Sequence, residues 1–195
     1  LDGALYIADT INMVVRRVDA TGTITTVAGT GEDAGQPQSS EVQSDGPALA
    51  IRMDRPSRLV VAPEGSLFIS SATMVRRLTS DGLLERIGGC AEGLCSTCTS
   101  VQCDPAIALQ AGLTLPRLTA VDPQGNLYLT FQSALWRIDP AGNLEHLGGT
   151  PSLGDYPGDG FNAQDIGLGL PQDILLGPGG DLFFASVSAA ARGVL

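Results

Sequence analysis

Glycines Gly22, Gly82 and Gly142 stand sixty residues apart, and so do Gly29, Gly89 and Gly149. A fixed period of this length marks an array of identical supersecondary units and leaves few folds open. Five landmarks recur in one order around these glycines. The first is Gly-x-Leu-aromatic, as Gly3 to Tyr6, Gly65 to Phe68, Gly125 to Tyr128 and Gly180 to Phe183. The second is a strand with Arg near its end: 14–18, 74–78 and 134–138. A polar turn closed by Gly22, Gly82 or Gly142 follows, then a short strand ending at Gly29, Gly89 or Gly149. After a long loop, Pro56, Pro116 or Pro171 opens the next unit. The last loop is five residues shorter than the others, which brings Pro171 and Gly180 forward.

Each unit reads as four short strands, labelled a to d. In the second unit they fall near 58–62, 66–71, 74–79 and 83–88, with alternating apolar and β-branched residues between Gly, Pro and Asp turns. Proline at the start of strand a removes no ladder hydrogen bond. A helical period is suggested only in 106–111. Four-stranded antiparallel units at constant spacing imply radial stacking, an all-β propeller of roughly three and a half blades. The units expected are a partial blade over 1–31, blades over 56–89 and 116–149, and a partial blade over 171–195. Long loops at 30–55, 90–115 and 150–170 join them. The high glycine and proline counts, 25 and 12, are what so many turns require. The sequence opens Leu1-Asp2-Gly3 without Met or a signal peptide, and both ends are expected to be cut points in a longer protein.

The first unit carries Gly3-Ala4-Leu5-Tyr6-Ile7-Ala8-Asp9-Thr10, then Asn12, Arg16-Arg17-Val18 and Thr25 to Gly31. This set resembles the NHL repeat, and the likeness extends over nearly the whole chain. Asp45-Gly46-Pro47-Ala48 resembles the connecting loop of teneurin-like and secreted bacterial members, with Asp104-Pro105-Ala106 and Gly158-Asp159-Gly160 in matching places. Ala8-Asp9-Thr10 becomes Ser70-Ser71-Ala72 and then Thr130-Phe131-Gln132, and the fourth unit fades after Phe184. The resemblance implies a propeller of six blades in all. It further implies an adhesion or scaffold role beside larger modules.

Cys90, Cys95, Cys98 and Cys103 all fall in one connecting loop, spaced C-x4-C-x2-C-x4-C. Two disulfides stapling this 26-residue excursion are expected, in any of three pairings, which places the protein in an oxidising compartment. A zinc knuckle is a second reading, weakened by having one C-x2-C where paired motifs carry two. An iron–sulfur site is a third, since the first three cysteines match a ferredoxin spacing while the fourth follows too soon.

Little in the sequence points to catalysis. His146 is the sole histidine and aligns with Thr26 and Arg86, where an exposed strand position is expected. One histidine serves neither a metal cluster nor a convincing triad, and no G-x-S-x-G elbow occurs. Peptide-amidating lyases of this repeat type use several histidines, and gluconolactonase-like propellers hold an axial divalent metal through Glu, Asn and Asp. The carboxylates here, Asp9, Asp155, Asp159 and Asp165, would suit calcium but lack EF-hand spacing, so no cofactor is expected. The Arg repeated at 16–17, 76–77 and 137 is expected to cover apolar surface and pair with a neighbouring blade's carboxylate; a row capturing an anion is the alternative. Trp136, which replaces the first Arg of its copy, is expected in core or inter-blade packing.

By analogy with propellers, the d-to-a and b-to-c loops share one face. Asp9, Asn12, Asp45, Asp104, Asp155 and Asp159 are therefore the candidate binding-face residues. With net charge −10 and no lysine, nucleic-acid backbones are disfavoured partners, and no apolar run is long enough to span a membrane. A non-catalytic module of a larger secreted, cell-surface or periplasmic protein is expected, binding a protein or carbohydrate on its loop-rich face. Flanking repeats or another copy would close its ring. The alternative is a propeller hydrolase or lyase with an axial divalent metal.

Overall fold

A computed structural model describes residues 3–32, 45–89, 107–150 and 159–187. They form four antiparallel sheets in succession. Sheet one holds β1 (Leu5–Asp9), β2 (Val14–Val18) and β3 (Ile24–Ala28). Sheet two holds β4 (Gly46–Pro47), β5 (Arg58–Val61), β6 (Leu67–Ser70), β7 (Val75–Leu78) and β8 (Leu83–Gly88). Sheet three holds β9 (Arg117–Val121), β10 (Leu127–Phe131), β11 (Ala134–Ile138) and β12 (Leu144–Gly148). Sheet four holds β13 (Leu170–Leu176) and β14 (Leu182–Val187). Strand b of the last unit thus continues past Phe184 to Val187, although its sequence has already left the repeat pattern. The helical period suggested at 106–111 is a single 3-10 turn over Ala108–Gln110.

Consecutive strands are spatial neighbours, so each sheet is a meander built from local hairpins. The exception is β4, which lies on the far side of β8. The chain leaving one sheet runs along the outer edge of the next before turning inward. Ile107 repeats this by bridging to Asn143 beside β12. A 3-10 turn then stitches adjacent sheets together. Ala48 donates its N–H to Gly82 O and accepts from Gly29 N; Ala108 does the same with Gly142 and Gly89; Ala163 accepts from Gly149 N. The equivalents of Ala48 are therefore Ala108 and Ala163. The Asp104-Pro105-Ala106 match lies outside the described residues, and the hydrogen bonds of Ala48 are repeated at Ala108.

The inner strands converge, with β5 against β9 and β9 against β13. Apolar side chains alternate between the two faces of each sheet, so the core is divided among the junctions. Val15, Met53, Leu67, Ile69 and Leu84 pack between sheets one and two. Phe68, Leu118, Leu129, Trp136 and Ile138 pack between sheets two and three. Tyr128, Leu135, Leu168 and Ile174 pack between sheets three and four. This is radial stacking, each sheet a blade covering the face of the one before.

Candidate functional site

The b-to-c turn of one blade meets the lead-in to strand a of the next. Thr10 donates its hydroxyl to Pro56 O at 2.8 Å, Leu115 N donates to Ala72 O at 2.8 Å, and Thr130 Oγ1 donates to Pro171 O at 3.5 Å. These contacts gather the turns and lead-ins into a continuous rim. The first two turns are longer than the third. Asp9 pairs with Val14 across residues 10–13, whereas Phe131 pairs with Ala134 across only Gln132 and Ser133. All five non-glycine residues with φ in the left-handed region among the described residues lie on this rim: Met13, Arg55, Leu115, Gln132 and Ser133.

Asp9 and Asn12 are brought together in that first turn. Asn12 Nδ2 donates to both Asp9 oxygens at 2.8 and 2.9 Å, and Arg16 Nε donates to Asp9 Oδ2 at 2.7 Å. The Arg16 bond, then that of Asn12, holds the Asp9 carboxyl below its ordinary pKa. Asp45 lies apart from them, beside the outer strand of the second blade, where Oδ1 accepts from Arg86 N at 2.8 Å. It also faces Arg76, whose guanidinium is lowered to about 10, first by burial and then, against the help of Asp45, by the neighbouring Arg86. Asp159 is exposed. Asp104, Asp155 and the cysteines Cys90, Cys95, Cys98 and Cys103 lie outside the described residues.

Of the repeated arginines, Arg16, Arg77 and Arg137 pair within their own blade rather than with a neighbour's carboxylate. Arg77 bonds Glu85 (Nε–Oε2 3.0 Å) and Arg137 bonds Glu145, each directly across the c–d ladder. A cross-strand partner on the same face is closer than anything the next blade can offer. His146 is half-buried, not exposed. Its ring lies 4.9 Å from that of Trp136, which stacks in turn on Phe131 at 4.9 Å, and its Nε2 is 2.7 Å from Gly149 O. Sequence reasoning placed the turn closed by Gly142 but missed its Asp–Asn lock and the matching Asp-Pro-x-Gly-Asn turn at 122–126. Asp122 and Asp139 each accept from the backbone N and side-chain Nδ2 of the asparagine four residues on, at 2.7–2.8 Å. Their identical spelling was the available signal.

Among the described residues, three of the grooves open between blades. Two are register-equivalent and lie by the a–b and c–d turns. One of about 360 Å³ reaches Gly65 and Gly82, and one of about 290 Å³ reaches Gly125 and Gly142. The third, of about 250 Å³, opens on the rim between the third and fourth blades, lined among others by Thr114, Leu115, Arg117, Ser133 and Gln172. Among the described residues, no three His, Cys, Asp or Glu side chains are grouped so that they could hold a metal ion.

No family model matches the chain. Among curated proteins it is similar to Teneurin-1 of Gallus gallus, 24% identical over 175 residues, and to Teneurin-1 of Mus musculus, 26% identical over 175 residues. Each alignment covers 85% of this chain and 6% of the relative. Among solved structures it is similar to an auxiliary nutrient binding protein from Bacteroides thetaiotaomicron (TM-score 0.63, 14% identity, 94% of this chain and 43% of that one). A protein of unknown function from the same organism gives 0.62 at 17% identity, over 95% of this chain and 43% of that one. A streptogramin B lyase gives 0.52 at 14% identity, over 95% of this chain and 45% of that one. The chain is a partial β-propeller whose repeats are similar to the NHL type. The propeller spans about 6% of the length of its curated relatives and under half of the solved structures just named. No helix among its described residues is long and apolar enough to cross a membrane.

Proposed function

We propose that this propeller is a non-catalytic binding or scaffold module of a larger secreted or cell-surface protein, presenting its rim to a protein or carbohydrate ligand. On this reading its blades are the units 56–89 and 116–149 with partial units 1–31 and 171–195, and the four cysteines form two disulfides in the loop between the second and third blades. One observation carries the reading. The rim carboxylate best placed for chemistry, Asp9, is consumed by Asn12 and Arg16, and the single histidine is half-buried against Trp136, while a groove stays open elsewhere on the rim, between the third and fourth blades. Among its described residues such a rim holds its shape without a poised acid, base or nucleophile. The teneurin likeness supports an extracellular setting.

Intact mass with and without reductant, on metal-free and untreated samples, tests this. The expected result is a gain of roughly four daltons on reduction, one hydrogen per sulfur, with no bound metal. Free thiols with stoichiometric zinc or iron would overturn the compartment. Metal-dependent turnover of a lactone or a peptide-derived lyase substrate would overturn the non-catalytic reading.

A further inference from the structure

We propose that the rim groove between the third and fourth blades, with the inner-strand arginine Arg117 in it and Arg58 one blade away, binds a small carboxylate-bearing saccharide of the uronic acid type. The proposal rests on the binding-module reading and names the ligand class of its rim.

Charge is distributed unevenly over this acidic molecule. Arg16, Arg52, Arg77 and Arg137 are each paired with a carboxylate. Arg58 and Arg117 have no carboxylate within ion-pair distance among the described residues. They hold the same place, the first residue of the innermost strand, Arg58 opposite Ser70 and Arg117 opposite Thr130. Ser70 Oγ in turn accepts from Leu118 N at 3.5 Å, which ties the two positions together. Positive charge left uncompensated at the inner rim of a body of net charge −10 attracts a single anionic group. It repels a polyanion, whose further charges would meet the acidic surface.

The groove has the chemistry to recognise what carries that group. Arg117 Nη1 donates to Gln172 Oε1 at 2.8 Å, which fixes the guanidinium beside an amide. Thr114, Gln132 and Ser133 add hydroxyl and amide groups suited to ring hydroxyls, and Leu115 adds an exposed apolar face. Leu115, Gln132 and Ser133 are held at φ 48°, 51° and 60°. At Gln132 and Ser133 this is the backbone that a two-residue hairpin loop requires, and it holds the wall of the groove in one shape. A volume of about 250 Å³ lies just below the usual range for drug-sized ligands and suits one sugar ring.

Isothermal titration calorimetry of the 195-residue chain with sodium D-glucuronate, D-glucose and sodium sulfate tests the proposal. Glucuronate should bind saturably, with glucose and sulfate each at least about tenfold weaker. Arg117→Gln should weaken glucuronate about tenfold, the scale of one charge-assisted bond, with an unchanged thermal melt because the side chain is exposed. Arg77→Gln, on the outer strands, should leave affinity unchanged. Equal binding of glucose and glucuronate, or an unaffected Arg117→Gln, overturns the arginine's role. Sulfate binding as tightly as glucuronate overturns the saccharide class. Absence of binding by any of the three overturns the inference alone, since the module reading is judged by mass and turnover.

Discussion

Trp136 replaces an arginine of the repeat and is only 2% exposed, stacked on Phe131 and tilted against His146. Truncating so large a buried ring leaves a cavity that neighbouring blades cannot fill. Trp136→Ala should therefore lower stability by about 3–5 kcal/mol, read as a shift in the urea midpoint at unchanged slope. Asp9 makes a contrasting case, because its bonds to Arg16 and Asn12 are to its charged form. A carboxyl lowered on folding stabilises only where the unfolded chain's carboxyl is already ionised. Its contribution is complete above about pH 4 and disappears as pH falls through the lowered folded value. Asp9→Asn should thus be less stable than the parent in neutral urea melts, and the gap should close in acid. A gap independent of pH would mean that the Asp9 charge has no structural part. At this scale the sequence was only partly legible. Strand membership of each arginine could be read from the repeat. Its partner could not, because the c–d register that sets Arg77 opposite Glu85 depends on a bulge at Val75–Arg76.

In the first three blades the outer strand is followed by a glycine that docks under the b-to-c turn of its own sheet. A Cβ at Gly89 would lie 2.4 Å from Thr73 O and 2.9 Å from the Met74 Cα, and φ there is 98°. Gly29 and Gly149 meet Met13 O and Ser133 O at 2.4 and 2.6 Å in the same way. Gly82, closing the c–d turn at φ 81°, has open space where a Cβ would go. Both need the left-handed backbone, but only Gly89 also needs the absence of a side chain. Gly82→Ala should cost about 1 kcal/mol and Gly89→Ala clearly more, up to about 3 kcal/mol, measured side by side in urea. Equal costs would mean that the docking contact relaxes freely. These two glycine series are what made the elements readable from sequence, since steric demand at both ends of strand d fixes the spacing. The stitching alanines Ala48, Ala108 and Ala163 were harder to see, because a 3-10 turn of three residues leaves no periodicity and alanine is common.

Across the whole molecule the same face of a blade is sealed inside the stack and open at its ends. Leu67 in the second blade is 2% exposed, and Leu5, its equivalent in the first, is 62% exposed. Tyr128 in the third blade is 8% exposed, and Phe183, its equivalent in the fourth, is 59% exposed. Leu5, Ile7 and Ile24 thus present one apolar face, and Leu175 and Phe183 present the other. Every internal junction joins these two kinds of face, so the ends are complementary by construction. Burying a single Leu or Phe is worth about 1.5–3 kcal/mol, and several such residues lie at each end. Contact between two copies would then be head to tail, one copy's last blade against another's first. The isolated chain should accordingly show concentration-dependent association in sedimentation velocity, and hydrophobic-dye binding that falls as association proceeds. Phe183→Ser, which removes apolar area from one end and touches no internal junction, should shift the distribution towards monomer without lowering the melting temperature of the remaining blades. A wild-type monomer at all concentrations, melting cooperatively and binding little dye, would mean that the end faces do not drive association and that burial within the chain itself suffices.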